Sequence, residues 1–436
     1  MTTVRILDSR SPAFRRFLSS IMSRGEGADG LDTQVAAIIG EVRQRGDRAL
    51  IEFTERFDRV KLPQKKLRVA AGEIAQARQR LKPADRRALE LAARRIAAFH
   101  RRTLEHSFHY RDSAGMSLGQ IVRPLGRVGI YVPGGLGAYP SSVLMNALPA
   151  RVAGVREIVM VSPPSPAGDD SGVLAAAGIA GVDEFYRVGG AQAIAALAYG
   201  TKTIRPVDKI VGPGNAWVQA AKRMVYGIVD IDKIAGPSEV MVIADGTARP
   251  DWIAADLIAQ AEHGSGDESA ILLTTSKGIA EQVDAALASA LRDLPRAEAV
   301  RRVLKGKSAL VIVGDLEEAF RIANQIGPEH LELEVKNPRR WLSRVEAAGA
   351  VFLGAMSPAP LGDYLAGPNH VLPTGGSSRY ASPLGAYDFL KRTSIIEGSA
   401  AALSRLGPAV ARLARMEGFE GHARAVEIRG AAEVKR

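Results

Sequence analysis

Arg127-Val-Gly-Ile-Tyr131-Val-Pro-Gly134-Gly135-Leu-Gly137 is followed, after Ala138-Tyr-Pro140, by Ser141-Ser-Val-Leu-Met-Asn-Ala-Leu-Pro-Ala-Arg-Val-Ala153. A short β-rich run, a glycine turn and an apolar helical stretch make one strand–helix unit. Two more β-rich runs end the same way, in Val188-Gly189-Gly190-Ala-Gln192 and Val211-Gly212-Pro-Gly214-Asn215. Glycine lets a backbone approach a ligand closely, and a following helix N-terminus favours phosphate. Tight strand–helix turns also need glycine without any ligand. None of the three turns fits Gly-x-Gly-x-x-Gly, so the usual dinucleotide fingerprint is absent.

Outward from this unit the alternation continues. Strands are expected at Val128–Val132, Ile158–Ser162, Phe185–Val188, Lys209–Val211, Val240–Ala244, Ala270–Thr274, Leu310–Val313 and Ala350–Leu353. Helices are expected at Ser141–Ala153, Ala191–Ala198, Ala216–Tyr226, Asp251–His263, Gly278–Leu291 and Leu316–Gln325. The pattern implies parallel sheets with helices on both faces, which bind ligands at the carboxyl ends of their strands. Most of the polar motifs are expected there. The first hundred residues read as helices: Thr33 to Phe57, with a break at Gly46-Asp47, and Ala84 to His100. From about Tyr387 the chain reads as helical with a final β-like stretch.

Length and composition narrow the class. A chain of 436 residues exceeds one ordinary core, so two or more domains are expected. It is 46% hydrophobic and 24% charged, the balance of a globular protein. No apolar run approaches the roughly 20 residues of a membrane helix, and Met1-Thr-Thr-Val-Arg-Ile-Leu-Asp8 has no apolar signal core. A cytoplasmic protein is the expectation, with no membrane partner. The net charge is +11, and Arg87, Arg94 and Arg101 recur every seven residues beside Arg86, Arg95 and Arg102. Leu89, Ala92, Ala93, Ile96 and Phe99 share that segment at helical spacing, so the arginines form the solvated face of an amphipathic helix. Phe99 belongs to the apolar stripe, so the arginines have no interleaved aromatic stacking surface, and nucleic acid is excluded as the main partner.

Four of the seven histidines stand in dense polar motifs: Gln260-Ala-Glu-His263, Gly327-Pro-Glu329-His330, Gly362-Asp363-Tyr-Leu-Ala-Gly-Pro-Asn-His370 and Glu417-Gly-Phe-Glu-Gly-His422. There is no cysteine, and nitrogen and oxygen donors without sulfur suit a catalytic metal better than a structural zinc knot. Gln260 and His263, three apart on a predicted helix, share a face. With Asp363 and His422 they make a borderline-hard set suited to Zn²⁺, although a surface Gln and His would read the same. Glu329 and His330 offer two proton acceptors of different basicity. On residue types alone, a helix cap with a paired histidine is the plainer reading of them.

In combination the motifs resemble the histidinol dehydrogenase family, from about residue 30 to the C-terminus. The stretches that carry the resemblance begin with the turns above and Tyr139-Pro-Ser-Ser-Val. They continue with Ala235-Gly-Pro-Ser238-Glu, Ala259-Gln-Ala-Glu-His263, Gly327-Pro-Glu-His330 and Leu361-Gly-Asp-Tyr-Leu-Ala-Gly-Pro-Asn-His370. Asp388-Phe-Leu-Lys-Arg-Thr-Ser394 and Glu417-Gly-Phe-Glu-Gly-His422 complete the series.

The resemblance implies oxidation of L-histidinol to L-histidine through the aldehyde, with two NAD⁺ and one Zn²⁺ per subunit, in a homodimer with shared active sites. By the same resemblance, Gln260, His263, Asp363 and His422 match the zinc ligands, and Glu329 and His330 the acid–base pair. Ser238, His370 and Glu417 match substrate contacts, together with Gln260, His263, His330, Asp363 and His422. Tyr131, Gln192 and Asn215 match NAD contacts. The loop Gly264-Ser-Gly-Asp-Glu-Ser269 is more acidic and glycine-rich than the family pattern, and Lys233 is placed near the site.

The expected fold is therefore α/β: two Rossmann-like parallel-sheet domains lacking the usual fingerprint, with N-terminal helices and a C-terminal helical tail. The expected divisions are an arm at 1–26, a larger domain of 27–130 and 238–384, a smaller NAD-binding domain at 131–237, and a tail at 385–436 completing the partner subunit's site. The alternative within the class is a related zinc- and NAD-dependent dehydrogenase of another small polar alcohol. A metal-dependent hydrolase would use Glu329 to activate water but has no use for the glycine turns. A charge-driven binding protein has only the arginine stripe in its favour.

Overall fold

The computed structural model describes residues 3–23, 30–134, 139–165, 170–263 and 266–431. The chain opens with β1 (Ile6–Asp8) and α1 (Pro12–Met22), which Ser11 caps by accepting from Phe14 N–H at 3.1 Å. Four helices follow: α2 (Leu31–Arg45), α3 (Asp47–Asp58), α4 (Ala71–Arg80) and α5 (Pro83–Arg101). Gly46, at φ +54°, separates α2 from α3 at the expected break. An antiparallel pair, β2 (Phe108–Arg111) and β3 (Ser117–Pro124), leads into the first parallel sheet.

That sheet is made of β4 (Arg127–Tyr131), β5 (Glu157–Ser162), β6 (Glu184–Arg187), β7 (Lys209–Val211) and β8 (Asp230–Ile231). The intervening helices are α6 (Pro140–Ala153), α7 (Ser171–Ala180), α8 (Gly190–Tyr199) and α9 (Ala216–Val225). All five strands are parallel, in the order β6-β5-β4-β7-β8. The chain winds outward from β4 on one side, then returns to β7 and winds out on the other. The reversal leaves a crevice at the carboxyl ends of β4 and β7, where two of the glycine turns lie.

The second sheet repeats this plan with β9 (Glu239–Ala244), β10 (Ser269–Thr274), β11 (Ala309–Ile312), β12 (His330–Glu334) and β13 (Ala350–Leu353). Its helices are α10 (Pro250–Ala261), α11 (Lys277–Ala290), α12 (Ala297–Lys305), α13 (Leu316–Ile326) and the short α14 (Ala359–Tyr364). The order is β1-β11-β10-β9-β12-β13, all parallel. Central strands such as Val240–Ala244 and Ala270–Leu273 are buried on both faces, which is why they read as continuous apolar runs rather than alternating ones.

Three features depart from the sequence reading. First, the hydrophobic stripes of α2 and α3 (Val35, Ile38, Ile39, Val42, Leu50) pack against Val159, Val161 and Ile194 of the five-stranded sheet and its helices. Those of α4 and α5 (Ala77, Ala92, Ala93, Ile96) pack with Val128, Ile130 and Ile158 of the same sheet. Helices α2 to α4 therefore cover the first sheet rather than joining residues 238–384, while α5 packs on both, sharing its cluster with Val371 and Leu384 and donating from Arg95 Nε to the Leu365 carbonyl. A stripe signals that a helix packs, but not on which partner.

Second, residues expected as an arm belong to the second sheet. β1 pairs with β11, and Phe14, Phe17 and Ile21 enter its core. Third, the tail begins with a strand, β14 (Leu390–Glu397), paired antiparallel with β3 from Leu390↔Pro124 to Glu397↔Ser117. It ends in the helical hairpin α15 (Ala400–Met416) and α16 (Glu420–Ala431), so the expected final β-like stretch is helix. No helix among the described residues is long and apolar enough to cross a membrane.

Candidate active site

The glycine turns converge on one crevice. Tyr131, the last residue of β4, is buried, and its phenol oxygen accepts from the Gly190 N–H at 3.1 Å, tying two of the turns together. Gln192, in the first turn of α8, is buried, and its Oε1 has no hydrogen-bond partner among the described residues. Asn215 caps α9, its Oδ1 accepting from Val218 N–H at 3.1 Å. Gly212 adopts φ +113°, and a Cβ there would collide with the Tyr131 carbonyl, so only glycine fits between β7 and β4. The crevice thus combines the N-termini of α8 and α9, a buried acceptor unpaired among the described residues and close backbone approach, the chemistry that receives a pyrophosphate.

The acid–base candidates lie elsewhere than expected. Ser238 immediately precedes β9, and Glu329 immediately precedes β12. His330 is the first residue of β12 and pairs with Val240 near the start of β9. These residues are at the amino ends of the second sheet's strands, which corrects the expectation of carboxyl ends. Gln260 and His263 reach the same edge because α10 runs antiparallel to β9 and ends there. The short link from β8 to β9 brings this edge beside the carboxyl edge of the first sheet, so the site falls between the two sheets.

Nor is the pair a helix cap. Leu331 and Leu333 alternate with His330, Glu332 and Glu334 along β12. That period of two was a strand signal within Glu329-His-Leu-Glu-Leu-Glu334 that the sequence reading passed over. Glu329 and His330 are both buried. Glu239, also unassigned from sequence, holds the pair with its backbone: its N–H donates to Glu329 Oε2 at 2.8 Å, and its carbonyl accepts from His330 Nδ1 at 2.9 Å.

Three imidazoles and a carboxylate gather here. His263 Nδ1 is 3.0 Å from the Gln260 carbonyl, and His370 Nδ1 is 2.9 Å from the Asp363 carbonyl. With His330, all three rings direct Nδ1 at a backbone oxygen, which assigns a proton to Nδ1 and, in the neutral ring, the lone pair to Nε2. Asp363 Oδ1 stands 3.4 Å from His330 Nε2, close enough for charge pairing but outside hydrogen-bond geometry. Burial would raise the Asp363 carboxyl, but the imidazoles of His330, His370 and His263 outweigh it and hold it low. Burial lifts Glu329 to about 7. It opposes a charged ring at His330, yet the carboxylates of Glu329 and Asp363 prevail and raise that ring to about 9. His370 is lowered by burial.

Glu417 and His422 are not brought to this cluster. Both are exposed on the α15–α16 hairpin, whose Arg415–Glu420 and Arg415–Glu427 ion pairs are internal to it. Among the described residues no three His, Asp or Glu side chains meet as a metal site. Lys233 lies close by, its Nζ 3.3 Å from the Val371 carbonyl. Of the acidic loop after His263, residues 264 and 265 lie outside the described residues.

Two doubly wound sheets, a glycine-rich crevice on one and a buried Glu–His pair with clustered imidazoles on the other, define an α/β oxidoreductase. The histidinol dehydrogenase family model matches residues 22–430. A histidinol dehydrogenase of Cupriavidus pinatubonensis is 51% identical over 98% of this chain and 97% of its own length. One from Chromobacterium violaceum is 52% identical over 97% of this chain and 98% of its own. The crystal structure of histidinol dehydrogenase from Elizabethkingia anophelis superposes with a TM-score of 0.93 at 33% identity, covering all of both chains. The chain belongs to the histidinol dehydrogenase family.

Proposed function

We propose that the protein oxidises L-histidinol to L-histidine in histidine biosynthesis, through L-histidinaldehyde retained at one site, using two NAD⁺ in succession and one Zn²⁺ per subunit. The observation that carries this reading is the buried Glu329–His330 pair gripped by Glu239, beside the imidazoles of His263 and His370. The family membership narrows the substrate to histidinol and sets aside another small polar alcohol.

The residues present fit both groups. Asp363, His263, whose Nδ1 is turned to a backbone carbonyl, and the side-chain oxygen of Gln260 offer a cysteine-free nitrogen and oxygen donor set. Zinc held there supplies an anchor for the substrate's nitrogens and a positive charge beside Asp363 that offsets the pull raising His330. The crevice bounded by Tyr131, Gln192 and Asn215 suits NAD⁺, which supplies the hydride acceptor for each oxidation.

The chain's own residues then divide the proton work. His330 Nε2 takes the alcohol proton as hydride leaves, while the Glu239 carbonyl keeps the ring's other nitrogen protonated and oriented. Glu329, lifted by burial toward neutrality, takes a proton from the water that adds to the aldehyde. Ser238 and His370 line the same edge and contact the substrate. Glu417 and His422, exposed on their own chain, complete the partner subunit's site in a cytoplasmic homodimer. Following NADH absorbance while counting histidine formed tests the reading. About two NADH per histidinol with little free aldehyde is expected from a retained intermediate; one NADH with accumulated aldehyde overturns it.

A further inference from the structure

One face of α9 joins the cofactor turn to the substrate edge. Lys222 is fully buried and donates from Nζ to the Gly212 carbonyl at 2.9 Å. It also pairs with Asp232, whose carboxylate is equally buried. Asp232 Oδ2 in turn accepts from the Gly212 N–H at 2.8 Å. A single buried ion pair therefore holds both backbone groups of the one glycine that must sit against the Tyr131 carbonyl. One turn earlier on the same helix face, Gln219 donates from Nε2 to the Gly214 carbonyl at 3.3 Å. Its Oε1 accepts from the Ala235 N–H at 3.0 Å. Ala235 opens the segment Ala235-Gly-Pro-Ser238-Glu239, and Glu239 grips Glu329 and His330. An unbroken series of bonds thus runs from the glycine turn to the acid–base pair.

We propose that Lys222, Asp232 and Gln219 are positioning residues. The ion pair presets the Gly212 turn for the cofactor, and Gln219 ties that turn to the substrate segment so that both are seated by one helix. This rests on the assignment of NAD⁺ to the crevice. A buried ion pair is weak evidence for stability, since an apolar pair of similar volume often serves as well. Its value here is the fixed direction of two backbone groups, which an apolar pair cannot supply.

Calorimetric titration of the full-length, zinc-loaded protein with NAD⁺ alone, and separately with L-histidinol alone, tests this. Lys222→Met is expected to raise the Kd for NAD⁺ about tenfold and leave that for histidinol within about twofold, because Lys222 and the Asp232 it pairs with both hold the Gly212 turn. Gln219→Met should raise both, by about three- to tenfold, because it holds both segments. Where Lys222→Met does not fold, the Lys222→Met/Asp232→Leu variant, free of any unpaired buried charge, carries the measurement with the same expectation. Asn215→Ala serves as the direct probe of the turn. Unchanged NAD⁺ affinity in the folded strut variants, with affinity lost in Asn215→Ala, overturns the positioning role even if their melting temperatures fall. Unchanged affinity in Asn215→Ala as well overturns the placement of NAD⁺ itself.

Discussion

His330 Nδ1 lies 3.6 Å from the Glu329 carboxylate although the two are neighbours in sequence. Successive residues within a strand point to opposite faces. The pair escapes that rule because strand pairing begins at His330, leaving Glu329 on the connection before it. The backbone of Glu239 then draws both side chains to one place, which gives two acceptors of different basicity in a buried setting.

That difference predicts a division of labour. His330→Asn should impair oxidation of histidinol, while Glu329→Gln should spare that step and impair oxidation of supplied histidinal. General-base losses are typically 10²–10⁴-fold, so single-turnover NADH formation from each substrate resolves them. Equal damage to both half-reactions in both variants would sink the division.

The donor set predicts a metal stoichiometry. Elemental analysis or native mass spectrometry should find about one zinc per chain, as a four-donor site suggests. His263→Ala and Asp363→Ala should each lose both the metal and activity. Full activity in chelator-treated, metal-free protein would reject the assignment.

The exposed positions of Glu417 and His422 predict complementation between subunits. A His330→Asn chain and a His422→Ala chain, each inactive, are denatured together and refolded. In a mixed dimer both lesions fall in one site and the other site is intact. With random pairing half the dimers are mixed, so activity should reach roughly a quarter of wild type. Verified heterodimers with no recovered activity would mean that the tail serves its own chain.

His100 predicts an acid limit on stability. It is buried in α5, neither ring nitrogen has a partner among the described residues, and burial lowers it from 6.5 to about 4. The unfolded chain therefore binds this proton at higher pH than the folded one does. Its contribution is fully present above about pH 6.5 and is lost as the pH falls toward 4, by about 3 kcal/mol in all. The melting temperature of His100→Leu should fall less than that of wild type across this window; parallel curves would reject the claim.

The sequence by itself determined the strand–helix alternation, because parallel strands buried on both faces are apolar throughout and glycine turns mark their ends. It also held every candidate site residue in a readable motif, since Gly-Pro-Glu-His and Gln-Ala-Glu-His are unusual combinations of polar residues. Tertiary structure alone decided the rest. Nothing in the stripes of α2 to α5 says which sheet they cover, because any apolar surface satisfies an apolar stripe. The Glu–His pair lies at the amino ends of strands because two sheets meet edge to edge there, a relationship between segments far apart in the chain. The grip of Glu239 on Glu329 and His330 spans about ninety residues of sequence. So do many of the contacts that turn separate motifs into one site, and hydrogen bonds of that span leave no local pattern to read.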